Sequence, residues 1–104
     1  MAGKLDHQVA VITGGSGVLG RGMALALAED GAMVFVGGMQ EQSAAQAIEA
    51  VLQGHAQAAR LREKLHPLSM NVLDAVSLDA AAEIVAQAGG CDILINAAGG
   101  NRPA

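Results

Sequence analysis

The chain has 104 residues, 52% of them hydrophobic, and a formal net charge of −4 at neutral pH. That is enough for one small domain with a modest core, and the apolar fraction excludes a disordered chain. The acidic balance, the single phenylalanine and the absence of tyrosine and tryptophan supply neither the basic surface nor the stacking platforms that nucleic-acid binding needs.

The start, MAGKLDHQ, lacks the apolar core of a signal peptide, and no apolar run reaches the length of a membrane-spanning helix. One cysteine, Cys91, permits no internal disulfide. The expectation is a soluble, cytoplasmic protein without a nucleic-acid or membrane partner.

The first predicted strand is QVAVIT, residues 8–13. Glycines follow at 14, 15, 17, 20 and 22, and a helix of good helix formers is predicted from Arg21 to Asp30, stopped by Gly31. AMVFVG (32–37) reads as the second strand. The segment from Gln42 to about Leu65 is helical in composition, with Gly54 breaking or ending its first part. HPLSMNV (66–72) is a weaker third strand. Val76 to Ala88 carries Leu78, Ala81, Ala82 and Val85 at helical spacing and closes on two glycines. CDILINA (91–97) is the fourth strand. Continuous apolar runs suit strands buried on both faces. The β-α-β-α-β-α-β alternation predicts parallel strands joined by helical crossovers.

Gly15, Gly17 and Gly20 spell G-x-G-x-x-G between a strand and a helix. There the motif has a mechanism: a tight turn, a close backbone approach to a pyrophosphate, and close packing of helix on strand. Helix N-terminal amides and the helix dipole favour the negative charge. A P-loop is disfavoured, because Arg21-Gly22 follow Gly20 where Lys-Ser/Thr would be needed.

TGGSGVLG (13–20) together with NAAG (96–99) resembles the short-chain dehydrogenases/reductases. The resemblance covers nearly the whole chain, and the two motifs lie in the family's order. It implies an α/β fold: a Rossmann-type parallel sheet of order 3-2-1-4 with flanking helices, ending after the fourth strand. Residues 1–104 would then be an incomplete dinucleotide-binding half-domain. The implied cofactor is NAD or NADP. On the glycine turn the resemblance assigns Gly14, Ser16, Gly17, Val18, Leu19 and Gly20 to the cofactor. After the second strand it assigns Gly38 and Met39, after the third Asn71 and Val72, and after the fourth Asn96, Ala97, Ala98 and Gly99. It also implies a small-molecule substrate and a homo-oligomeric parent enzyme.

Departures from the family's pattern are visible. Val18 stands where glycine is commoner, and the turn follows the alternative T-G-x-x-G-x-x-G. Asn71 replaces the usual Asp, and its amide oxygen can still accept a hydrogen bond from the adenine amino group. Gly38 stands where NAD-preferring members carry an acidic ribose anchor. The segment 40–71 is longer than usual, which predicts a surface insertion around GHAQAARL (54–61).

His7, His55 and His66 have no second ligand at i+3 or i+4, and surface or helix-end histidine is favoured over a metal site. Met23, Met33, Met39 and Met70 read as core or near-core residues, and Cys91 as a buried, inert thiol. The family's hydride chemistry uses a Tyr, a Lys four residues later and a Ser. The chain contains no tyrosine, so no catalytic residue is assigned, and it is expected to be the inactive cofactor-binding part of such an enzyme. A non-catalytic dinucleotide-binding module is the alternative. A methyltransferase-like nucleoside binder is weaker, because it would want an acidic residue at Gly38. Within the family, TGGSGVLGRGMA with CDILINAAGGNRP looks most like sugar-acid members described as D-mannonate oxidoreductases. A dienoyl-CoA reductase-like parent is the runner-up.

Overall fold

A computed structural model describes residues 4–71 and 73–97. Its elements follow in the order β1 (Val9–Thr13), α1 (Val18–Glu29), β2 (Met33–Gly38), α2 (Glu41–Leu52), α3 (Ala58–Arg62), β3 (Leu65–Ser69), α4 (Ala75–Gln87) and β4 (Ile93–Asn96). The four strands form one parallel sheet in the order β3-β2-β1-β4. This is the expected order, and it leaves β1 at the centre with β2 on one side and β4 on the other.

Both faces of the central strands β1 and β2 are covered, so their sequences are apolar without alternation. Ala10, Ile12, Val34 and Val36 point to the face covered by Ala24 and Ala28 of α1 and by Ala44, Ile48 and Leu52 of α2. Val9, Val11, Phe35 and Leu68 point to the face covered by Ala81 and Val85 of α4. A wholly buried Ile12 or Val34 contributes roughly 1.5–3 kcal/mol relative to exposure.

Asp92 fastens the amino-terminal end of the β1–β4 pair. Its Oδ2 accepts from the Val9 amide at 2.8 Å, while its own amide donates to the Val9 carbonyl at 2.8 Å. Helix α4 starts on an Asp74 N-cap that accepts from the Val76 amide at 3.0 Å.

Four expectations are corrected. Helix α1 starts at Val18, three residues before Arg21, because Gly17 is its extended N-cap and Gly20 fits inside the first turn. The segment 54–61 is no simple surface insertion. Gly54, at φ +76°, ends the α2 turn, and the chain then returns so that α3 buries Leu61 completely beneath α1 and α2. Met39 is 62% exposed. Cys91 is exposed as well, with its Sγ 3.2 Å from the Ile93 carbonyl, because it precedes the strand and lies beyond the helix cover.

Candidate functional site

Thr13 closes β1, and Gly14, at φ +70°, turns the chain away from the sheet. Gly15 donates to the Gly37 carbonyl at 2.7 Å, which ties the turn to the end of β2. A Cβ on Gly15 would lie 2.9 Å from Val36 Cγ1. One on Gly20 would lie 2.6 Å from the Gly14 carbonyl oxygen and 2.8 Å from Gly15 Cα. These two glycines therefore let helix and strand close on each other.

Gly17 differs. It is exposed, and a Cβ there would meet only the Gly14 carbonyl, at 3.5 Å. Its bare outer side faces open space at the start of α1. That helix has no side-chain cap, so its first amides are available to a ligand. The turn is a cradle of the right kind for a pyrophosphate: glycine backbone, uncapped amides and the positive end of a twelve-residue helix.

Hydrogen bonds draw the other strand ends to this turn. The Thr13 carbonyl accepts from the Ala97 amide at 2.9 Å, and the Thr13 hydroxyl donates to Asn96 Oδ1 at 2.7 Å. The Met70 amide donates to the Gly38 carbonyl at 2.7 Å, which brings Asn71 beside the end of β2. Asn71 Oδ1 already accepts from the Leu73 amide at 3.0 Å, and its second lone pair is the one left for a ligand.

Thus Gly14, Ser16, Gly17, Val18, Leu19 and Gly20, the β2 end at Gly38 and Met39, Asn71, and Asn96 with Ala97 all lie at the carboxyl end of the sheet. Strand order reverses here between β1 and β4, the place where open α/β sheets form a ligand crevice. Val72, Ala98 and Gly99 lie outside the described residues. Several large apolar side chains among the described residues are uncovered at this end: Val18, 78% exposed, Leu19, 72%, Leu73, 89%, Val76, 77%, and Met39. Leu73 was not singled out from sequence, since an isolated leucine before a helix carries no motif. Gly37 was missed too. A Cβ there would lie 2.9 Å from the Ile12 carbonyl, and the Gly-Gly pair closing the second strand was the available signal.

A separate groove of about 620 Å³ runs between α4 and β3, lined by Phe35, His66, Ser77 and Ile84 among others. Two of its polar side chains are occupied: Ser77 Oγ accepts from the Asn71 amide at 2.9 Å, and Asp74 caps α4. Among the described residues His66 Nε2 is buried without a partner, and its ring lies 5.6 Å from that of Phe35. Among the described residues no group of three or more His, Cys, Asp or Glu could hold a metal ion, and no helix is long and apolar enough to cross a membrane.

Residues 8–104 match the short chain dehydrogenase family. The chain is 38% identical over 101 residues to the uncharacterized oxidoreductase UxuB of Bacillus subtilis, covering 96% of this chain and 34% of that protein. Menthone neomenthol reductase from Mentha piperita superposes with a TM-score of 0.80 at 25% identity, over 88% of this chain and 31% of that one. The 3-ketoacyl-(acyl-carrier-protein) reductase from Brucella melitensis, solved in complex with NADH, gives a TM-score of 0.69 at 26% identity, over 88% and 34%. The chain spans about a third of the length of the relatives it matches. Its sheet order and glycine turn are those of the Rossmann NAD(P)-binding fold, and the chain belongs to the short-chain dehydrogenase family.

Proposed function

We propose that this chain is the NAD(P)-holding part of an oxidoreductase that interconverts an alcohol and a carbonyl group. The observation that carries the reading is the uncapped α1 amino terminus behind the open Gly17, joined by hydrogen bonds to the ends of β2 and β4. In this reading the backbone from Gly14 to Gly20, with the Ser16 hydroxyl, holds the pyrophosphate. Gly38 and Met39 border the adenosine ribose, Asn71 and Val72 the adenine, and Asn96, Ala97, Ala98 and Gly99 the nicotinamide side. When bound, the dinucleotide supplies the hydride donor or acceptor. The chain's own residues bind and orient it.

Residues 1–104 act as one incomplete dinucleotide-binding unit of a cytoplasmic, homo-oligomeric enzyme. Its substrate class is a sugar acid of the fructuronate or mannonate kind, supported by the motif resemblance and by the similarity to an uncharacterized oxidoreductase. A dienoyl-CoA is the second candidate. The 104 residues alone turn over neither, because the chain has no tyrosine to serve as proton donor. General acid–base catalysis of that kind typically contributes on the order of 10²–10⁴-fold. The second reading is a dinucleotide-binding module without catalysis.

Calorimetric titration of the purified chain with NAD and NADP tests the binding. Saturable heats at one site per chain are expected, and no binding of either would overturn the reading. Turnover of fructuronate or a dienoyl-CoA that follows the chain through purification would overturn the inactivity. A longer protein containing this segment separates the substrate classes and the module: activity on fructuronate supports the first, activity on the dienoyl-CoA the second, and activity on neither the module.

A further inference from the structure

We propose that this chain binds NAD and NADP with nearly equal affinity, because the ribose-reading position at the end of β2 is held by a glycine with no charged replacement beside it. The proposal rests on the dinucleotide site described above and concerns only how that site treats the adenosine 2′ position. Discrimination there normally comes from an acidic side chain, which accepts hydrogen bonds from the ribose hydroxyl and repels a 2′-phosphate, or from a cation that attracts the phosphate. Gly38 supplies neither.

The structure shows why this position differs from a simple loss of side chain. Gly38 is buried where β2 meets the start of α2. A Cβ there would lie 3.2 Å from the Gln40 carbonyl oxygen and 3.4 Å from Ala44 Cβ. The same Gln40 carbonyl accepts the first hydrogen bond of α2, from the Ala44 amide at 3.3 Å. Helix α2 has therefore settled against the bare glycine, and the rim of the ribose site is backbone. The next side chains, Met39 and Gln40, are exposed and uncharged. Glu41 is the first carboxylate, placed in the first turn of α2 where the helix dipole accommodates it. No Lys or Arg occurs between Met39 and Ser43. Arg21 is the nearest cation in sequence to the glycine turn, and no side-chain hydrogen bond or ion pair commits its guanidinium among the described residues. A 2′-phosphate thus meets no cation fixed in place for it and no carboxylate set against it at Gly38.

Calorimetry with NAD and NADP, on the wild-type chain and three variants, tests this. The wild-type dissociation constants should agree within about tenfold, or about 1.4 kcal/mol. Gly38→Asp should weaken NADP relative to NAD at least tenfold. Gly38→Ala, which adds the same Cβ without charge, should leave the ratio unchanged. Met39→Arg, at an exposed position that demands no repacking, should shift the ratio toward NADP even if Gly38→Asp fails to fold. A hundredfold preference in the wild type would overturn the proposal while leaving the binding site intact, and so would an equal shift from Gly38→Ala and Gly38→Asp. Binding of neither cofactor would overturn the dinucleotide reading itself, and the proposal with it.

Discussion

The Thr13 hydroxyl donates to Asn96 Oδ1 at 2.7 Å across 83 residues of sequence, at the point where β1 and β4 end together. The bond joins the two motifs by which the chain resembles its family. It is exposed, so its net contribution is modest, about 1 kcal/mol. Thr13→Val keeps the shape and removes the donor. It should lower unfolding stability by that amount in a denaturant titration and weaken dinucleotide binding several-fold, while Thr13→Ser retains both. Equal midpoints for wild type and Thr13→Val would show that the bond contributes nothing.

Two glycines of α1 make opposite predictions. Gly20 has backbone on its outer side, with the Gly14 oxygen 2.6 Å from any added Cβ, whereas nothing lies within 4 Å of a Cβ on Gly22. Gly20→Ala should destabilise by about 1–3 kcal/mol through overpacking and cost cofactor affinity. Gly22→Ala should stabilise by about 0.5–1 kcal/mol, since helical glycine loses more freedom on folding than alanine. Thermal melts of the two variants moving in the same direction would refute this account of the turn.

The placement of the turn and the crossovers were legible because each rests on a local signal: an apolar run, glycine spacing or helical periodicity. The strand order came with the resemblance to the family. What was not legible depended on long-range closure. Leu61 lies in GHAQAARL, whose polar and small residues suggest surface, yet its side chain is fully buried among residues from α1 and α2. Cys91 reads as buried by its apolar neighbours, but it precedes β4 where no helix covers it. Met39 follows a buried run and still faces solvent, because the chain leaves the sheet at Gly38. At the candidate site the glycines were readable. The hydrogen bonds linking Gly15 to Gly37 and Thr13 to Asn96 were not.

Burial of Leu61 makes the α3 segment structural. Leu61→Ala should cost about 2–5 kcal/mol, the range for a large-to-small change in a packed core. Removing its exposed neighbour Ala59 in favour of Ser should cost less than about 0.5 kcal/mol. Urea titrations compare the two. A Leu61→Ala midpoint close to that of Ala59→Ser would restore the surface-insertion view.

The same segment is fastened to α2 by Arg62, whose Nε and Nη2 donate to Glu49 Oε2 and Oε1 at 3.0 and 2.7 Å. These hydrogen bonds, with the attraction of the guanidinium, hold the Glu49 carboxyl below its ordinary range. A carboxylate depressed in the folded state stabilises above its unfolded pKa and loses that contribution as pH falls through the lowered value. Both partners are exposed, so the effect is small. Melts of wild type and Arg62→Met should differ slightly at neutral pH and converge in acid. A difference that grows on acidification would contradict the sign.

Among the described residues β4 is the outermost strand on one side of the sheet and β3 on the other. The two edges are unlike. Pro67 in β3 has no amide to offer an incoming strand, and Lys64 precedes it. Strand β4 reads Ile-Leu-Ile-Asn, with neither charge nor proline, and Leu94 is 67% exposed on the α4 face. Unprotected apolar edges template pairing with other chains, and a lysine on such a strand is a common defence. The 104-residue chain should therefore self-associate as its concentration rises. Leu94→Lys should suppress this with little loss of stability, because the leucine has little contact to lose. His66→Lys, on the edge already carrying proline, should change association far less. Light scattering against concentration reads all three proteins. If wild type and Leu94→Lys associate alike, the β4 edge is not where the chains meet.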